Sequence, residues 1–410
     1  MLNLLVLLYS PKSKKYLLIF IITSMKNIKK SFSHISSFIL VVLLMSISNP
    51  APSQFKYKLR TSNLILETKL HYGFIASHHL EMQLFNNHFP TFEISILKKT
   101  YGKTRWEYMY NYPIIGISLW YSNLGNSPYL GSGTAIFPFI DFPLISKKKT
   151  ILYFRLGVGL GYLSKKFDRL ENYKNIVIGS HLNAAVSLMF EAKYRLDERL
   201  LLSGGIGLTH FSNGSIKTPN FGINIPSINI GIAYRLNKEN PYIKNKLLPE
   251  LYPFEFDGKR SIDIYVSAGA GIKDMQSDFG SRYYVYTAFA NVFKRISFKS
   301  KLGLGFDLSY DGSDIILLKK IDIEIPHFYS IIKSGINVAY ELEMSKVSLV
   351  FNLGMYLCGM EKSDGSVYEK LAFRYMMSDR LFTNITLKAH SGRADFIALG
   401  IGYKFNLIYY

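Results

Sequence analysis

The sequence has a single cysteine, Cys358, and this scarcity excludes a disulfide bond within the chain. Past residue 50 it also lacks any run of roughly 18 to 20 apolar residues, which excludes a membrane-spanning helix in that part of the chain. Hydrophobic residues nevertheless make up 48% of the sequence, with 30 tyrosines and 30 glycines. Apolar content that is high but finely divided is typical of strands in which apolar and polar residues alternate.

The N-terminal segment has the pattern of an export signal. Residues 25–30 are basic, residues 38–47 are apolar, and residues 51–53 supply small side chains near a cleavage site. A membrane anchor is the alternative, but the apolar run is too short for one. We therefore predict a signal peptide within residues 1–53, with Met25 as the true start after an upstream extension.

The chain is strongly basic, and the distribution of charge limits its partners. The formal net charge is +20, and residues 1–53 hold six lysines and no acid, so that +14 remains without them. The other basic residues are scattered at predicted strand ends and turns. Because this scatter and the export signal both argue against a nucleic-acid partner, we expect an anionic lipid surface instead.

From about residue 64 the chain alternates in pieces of roughly ten residues separated by turns. Eight predicted strands precede the Pro-containing segment 237–259, and eight follow it. The predicted strands are 64–71, 92–98, 115–121, 131–137, 151–162, 182–195, 200–210, 226–236, 261–272, 283–295, 299–310, 331–343, 347–358, 370–377, 381–390 and 396–405.

The two faces of these strands differ in polarity. In residues 227–236 the even positions are isoleucine, tyrosine or leucine, while the odd positions are small or polar. Residues 397–405 repeat the alternation, with the large apolar side chains at the odd positions. A soluble sandwich buries the apolar face, whereas a membrane barrel turns it toward lipid. The export signal, the many aromatics and the absence of a cysteine pair favour the second. We predict an all-β fold, an antiparallel transmembrane β-barrel in the bacterial cell outer membrane.

The sequence constrains the number of barrels less than it constrains the fold class. We expect a first strand region at 54–236, a linker at 237–259 and a second strand region at 260–410. One larger barrel of about 12 to 16 strands is preferred, because an open second set of strands would leave unpaired edges in lipid; two consecutive eight-stranded barrels are the alternative. The halves also share weak similarity, such as "INIGIAYRL" and "IALGIGYKF", which indicates either a duplication or the common pattern of barrel hairpins.

The sequence "HFSNG" at residues 210–214 carries the chemistry that stands out. Side chains two apart share one face of a strand, so His210 and Ser212 continue the apolar, lipid-facing side of the seventh strand at its outer end. Exposing two polar groups there is costly without a purpose. A histidine beside a serine can take the hydroxyl proton as the oxygen attacks; polar groups capping a strand end are the alternative.

Other residues complete a possible site around this pair. Asn224 lies on the approach to the next strand and shares the parity of its apolar positions, so it can face the same way as His210, where its side-chain oxygen could orient the imidazole. Asn213 and backbone amides near Gly214 are the predicted oxyanion donors. The site requires no metal and no cofactor.

The stretch "GGIGLTHFSNGSIKTPNFGINIPSINIGIAYRL" resembles the signature region of the lipid A 3-O-deacylases, the PagL-type outer-membrane barrels. The resemblance implies an eight-stranded barrel that hydrolyses an acyl ester of lipid A, with His210 and Ser212 at the positions of the base and nucleophile, and Asn213 and Gly214 in the oxyanion region. The acidic third residue of the family falls on Asn224, which is neutral. Asp168 or Glu171 could substitute for it, and the family unit accounts for only half of this chain.

We therefore predict an outer-membrane serine ester hydrolase that removes an acyl chain from lipid A or a related outer-leaflet lipid, with lipopolysaccharide as its partner. A non-catalytic barrel, porin-like, adhesive or lipopolysaccharide-binding, is the alternative. We interpret His390-Ser391 as structural, because adjacent residues on a strand face opposite ways. His78 and His79 lack companions that would make a metal site.

Overall fold

The computed structural model describes residues 64–77, 80–102, 104–237, 261–275, 281–362 and 364–408. The predicted signal peptide, the linker beyond residue 237, and His78-His79 lie outside these residues. In the part of the chain that is described, no helix is both long enough and apolar enough to cross a membrane.

The described chain is built from sixteen antiparallel strands, and each predicted strand overlaps one of them. The strands are β1 (Leu64–Phe74), β2 (His88–Lys99), β3 (Ile114–Ser122), β4 (Gly133–Ser146), β5 (Thr150–Leu163), β6 (Leu182–Arg195), β7 (Leu200–Ser212), β8 (Ile223–Arg235), β9 (Ser261–Asp274), β10 (Arg282–Arg295), β11 (Ser300–Asp311), β12 (Lys333–Met344), β13 (Val347–Cys358), β14 (Val367–Met376), β15 (Leu381–His390) and β16 (Arg393–Ile408). The described helical segments are α1 (Arg105–Met109), α2 (Gly312–Lys320) and short 3₁₀ turns at Leu80–Phe85, Leu124–Asn126 and Phe328–Ile331.

The strands form two closed barrels of eight. In the first barrel β1 pairs with both β2 and β8, and in the second β9 pairs with both β10 and β16. The predicted all-β antiparallel barrel is confirmed, but the preference for one larger barrel is wrong. Each set of eight strands pairs its own first and last edges, so neither set needs the other to satisfy its backbone.

The faces of the strands follow the predicted alternation. On β8, Ile228 and Ile230 are 63% and 67% exposed, whereas Asn229 between them is 4% exposed. On β16, Leu399 and Ile401 are exposed while Ala398 is buried. Apolar side chains therefore cover the outside of both barrels, as expected of strands that face lipid.

Paired charges fill much of the interior of the first barrel. The Arg155 guanidinium donates to Asp141 at 2.6 Å, to Glu93 at 2.7 Å and to Glu67 at 3.2 Å. Lys193 bridges Glu67 and Asp141 at 3.1 and 2.9 Å. All five side chains are buried, so each charge is balanced by neighbours rather than by water.

The two barrels share a structural detail that supports a duplication. At the β6–β7 turn, Arg199 donates from Nη1 to the hydroxyl of Tyr234 at 3.0 Å. At the β14–β15 turn, Arg380 donates in the same way to Tyr403 at 3.1 Å. Tyr234 and Tyr403 occupy matching places in the two similar sequences "INIGIAYRL" and "IALGIGYKF", so the similarity extends to a side-chain contact.

Candidate active site

The predicted histidine, serine and asparagine come together where β7 passes into β8. His210 and Asn224 are directly opposed in the β7–β8 ladder, and Ser212 follows His210 by two residues. All three are half-buried, on the face that carries exposed Leu202, Ile206 and Leu208. The strand pairing thus places the three side chains on the outer surface, as their spacing predicts.

The contact between His210 and Asn224 selects one tautomer of the imidazole. Nδ1 of His210 lies 2.6 Å from Oδ1 of Asn224. Because a carboxamide oxygen can only accept, Nδ1 must carry a proton, and in the neutral imidazole Nε2 then has a lone pair. This is the state that a general base requires.

A glycine beside the histidine makes room for its ring. Gly222 has a φ of +79°, and a Cβ there would lie 2.9 Å from Cε1 of His210. A larger residue would strain the backbone and displace the imidazole.

Ser212 receives two hydrogen bonds from the loop between β7 and β8. The side-chain amide of Asn220 donates from Nδ2 to Oγ of Ser212 at 2.9 Å, and the backbone N–H of Gly214 donates to the same oxygen at 3.2 Å. Both donors therefore lie next to the serine oxygen. Asn220 was not among the predicted residues, because strand alternation gives no orientation to a loop residue; its only signal is its place within the signature stretch.

Asn213, one of the predicted oxyanion donors, directs its side chain away from Ser212. Its side chain is buried on the face opposite Ser212, where Nδ2 donates to Ser180 Oγ and to the carbonyl of Lys217, both at 2.8 Å. Its backbone N–H donates to Oδ1 of Asn220 at 3.1 Å. Adjacent residues on a strand face opposite ways, so Asn213 anchors the loop, and Gly214 and Asn220 supply the donors near the serine.

Asp168 caps a turn instead of contacting His210. Its Oδ1 accepts from the backbone N–H groups of Leu170 at 2.9 Å and Glu171 at 3.0 Å, and these bonds hold the pKa of the carboxyl below its usual range. The acceptor that the structure places at Nδ1 of His210 is Asn224.

The His390-Ser391 pair is divided as its spacing predicts. His390 is buried inside the second barrel, where Nε2 lies 3.0 Å from the hydroxyl of Tyr356 and Nδ1 lies 3.9 Å from Asp395. Ser391 is exposed in the β15–β16 turn. Among the described residues, no group of three or more His, Cys, Asp or Glu side chains is arranged to hold a metal ion.

Two family models match the chain. Residues 91–233 match the family described as lipid A 3-O-deacylase (PagL), and residues 260–407 match the family described as acyloxyacyl hydrolase, C-terminal domain. The resemblance noted from the sequence is thereby confirmed, and the first of these families is one of ester hydrolases. No curated protein matches the sequence.

Several solved structures are similar to parts of this chain at low identity. Neisserial surface protein A (NspA) is 9% identical with a TM-score of 0.32, covering 43% of this chain and 98% of its own. The outer membrane enzyme PagL is 16% identical with a TM-score of 0.27, covering 40% and 97%. The toluene transporter TodX of P. putida is 7% identical with a TM-score of 0.17, covering 85% and 90%.

Proposed function

We propose that the first barrel is an outer-membrane serine ester hydrolase. The premise is that residues 91–233 match the lipid A 3-O-deacylase (PagL) family and residues 260–407 match the family described as acyloxyacyl hydrolase, C-terminal domain. The substrate of the first barrel would be an acyl ester of lipid A or of a related outer-leaflet lipid. The observation that carries this proposal is the hydrogen bond from His210 to Asn224, with Ser212 two residues away on the same lipid-facing side.

The reaction would proceed by acyl transfer to the serine. Oγ of Ser212 attacks the ester carbonyl carbon while Nε2 of His210 takes the hydroxyl proton. The bond from that carbon to the sugar oxygen then breaks, and His210 returns the proton to the leaving oxygen. A water, deprotonated by His210, releases the fatty acid and restores the serine.

Gly214 and Asn220 are the proposed oxyanion donors. Each is already within 3.2 Å of Ser212 Oγ, and a carbonyl oxygen of a bound ester would lie next to that atom. The backbone N–H of Gly214 and Nδ2 of Asn220 could turn from the serine to the oxyanion with small movements. Removing one such donor typically lowers kcat by about 10² to 10³.

Asn224 would act as the third member of the triad without a charge. Its oxygen orients the imidazole, which a neutral amide does as well as a carboxylate as long as the oxygen faces Nδ1. It stabilises the imidazolium of the transition state less strongly, because a charged acceptor makes the stronger hydrogen bond. We therefore expect a working but slow hydrolase.

The proposal is tested by mass spectrometry of lipid A from bacteria that produce the wild-type chain or Ser212→Ala. We expect the wild type to remove one acyl group and Ser212→Ala to remove none. Ser227→Ala, on the neighbouring strand of the same barrel, is a matched control that should retain activity. Unchanged lipid A with a folded wild-type protein would contradict the proposal and favour the non-catalytic barrel.

A further inference from the structure

The loop between β7 and β8 is held from two sides, and one of them is the second barrel. We call residues 213–222 the site loop, since it carries both donors to Ser212. Both ends of the loop are fixed within the first barrel. At one end the side chain of Asn213 makes the hydrogen bonds described above, and at the other end the N–H of Gly222 donates to the carbonyl of Val177 at 3.1 Å.

The middle of the site loop hydrogen-bonds to the second barrel. Ser215 Oγ donates to the carbonyl of Ala394 at 2.7 Å, and the carbonyl of Ser215 accepts from the backbone N–H of Asp274 at 2.8 Å. The backbone N–H of Thr218 donates to Oδ2 of Asp274 at 3.1 Å. Asp274, at the end of β9, thus holds the loop at two places three residues apart.

The residue that donates to Ser212 also packs against the second barrel. Gly214 has a φ of +60°, and a Cβ there would lie only 2.3 Å from Cδ1 of Ile397 on β16. Ile397 is on the outward face of β16, beside exposed Leu399 and Ile401. The backbone of Gly214 is therefore closely confined by a side chain of the other barrel.

We infer that the second barrel is part of the catalytic unit and that Asp274 is a positioning residue for the reaction. It fixes the site loop so that the N–H of Gly214 and the amide of Asn220 stay directed at the reacting atoms. The inference rests on the proposed function. The physical reason is that an oxyanion donor stabilises the transition state only when it is held in place beforehand, and a loop tethered only at its ends would have to be ordered in each turnover.

The hydrogen bond between Thr218 and Asp274 requires only an acceptor oxygen in the side chain at position 274. The carboxylate accepts a hydrogen bond from a backbone amide, and a carboxamide oxygen can accept the same bond. Asp274→Asn should therefore preserve positioning, whereas Asp274→Ala should remove it. The backbone hydrogen bond from Asp274 to Ser215 and the bond from Ser215 to Ala394 persist in both variants, so Asp274→Ala removes one of the three hydrogen bonds between the site loop and the second barrel.

A control variant is available at the opposite end of the barrels. The hydroxyl of Tyr110, next to α1, donates to the carbonyl of Glu343 at 3.0 Å. Tyr110→Phe removes one hydrogen bond between the barrels without touching the site loop. This variant therefore shows whether an effect on activity comes from weaker contact between the barrels or from loss of loop positioning.

The experiment measures kcat and KM on micelles of purified lipid A, together with amide hydrogen exchange of residues 213–222. For Asp274→Ala we expect kcat to fall about tenfold at an unchanged KM and the Thr218 amide to lose protection. Asp274→Asn should restore both to within about threefold, and Tyr110→Phe should change neither. If the wild type is active and a folded Asp274→Ala variant keeps the wild-type kcat and the wild-type protection of the Thr218 amide, the inference is overturned. Inactive wild type with a protected Thr218 amide would instead refute the proposed function.

Discussion

The neutral third member of the site gives a sharp prediction, because asparagine differs from aspartate by one non-hydrogen atom and by the charge. Asn224→Asp keeps the length of the side chain and can keep the 2.6 Å contact to Nδ1 of His210. Asn224→Ala removes the acceptor. We expect the first change to raise kcat and the second to lower it.

The magnitudes follow from the kind of hydrogen bond. A neutral bond contributes about 1 kcal/mol, and a bond to a charged group about 2 kcal/mol. The difference of about 1 kcal/mol corresponds to roughly a five- to tenfold change in rate. In a serine protease, replacing the triad aspartate by asparagine costs about 10⁴ in kcat, because the imidazole is then held in the wrong tautomer. Here the Asn224 oxygen already selects the useful tautomer, so Asn224→Asp should gain only the stronger electrostatic stabilisation of the imidazolium.

The assay is release of fatty acid from lipid A micelles under single-turnover conditions, which isolates the chemical step. Asn224→Asp should be about five to ten times faster than wild type, and Asn224→Ala about five to ten times slower. Adding Ser212→Ala to Asn224→Asp must abolish release. If both Asn224 variants matched wild type in a folded barrel, Asn224 would not orient the histidine and the reasoning would fail.

Two further predictions concern stability and are measured by urea unfolding in detergent. Arg155→Met should lower the unfolding free energy of the first barrel by about 3 to 5 kcal/mol, because the buried acids lose their positively charged partner. Trp120 fluorescence reports the unfolding of this barrel. As a control, Arg199→Met at an exposed position should lower the unfolding free energy by less than about 1 kcal/mol. Burial raises the pKa of Asp314 to about 7. The folded state therefore binds the extra proton, so this group's contribution to stability falls as pH rises from about 4 to 7. Asp314→Asn should flatten that dependence and exposed Asp322→Asn should not; equal slopes in all three proteins would contradict it.

The strands and their faces were determined locally. Alternation with a period of two is a property of consecutive residues, so the sequence alone indicates sixteen strands and assigns His210 and Ser212 to the lipid-facing side. The same reasoning predicts that Asn224 faces the same way as His210, because it shares the parity of the apolar positions on the next strand. These predictions needed no knowledge of distant contacts.

Closure, by contrast, was decided by tertiary structure. The pairing of β1 with β8 and of β9 with β16 joins segments far apart in the chain, and alternation is identical whether eight strands close or sixteen do. The positions of Asn220 and Asp274 depend on how a loop folds and on which barrel it meets, and neither residue carries a periodic signal. A strand pattern fixes which way a side chain points, but only long-range pairing and packing determine what it meets there.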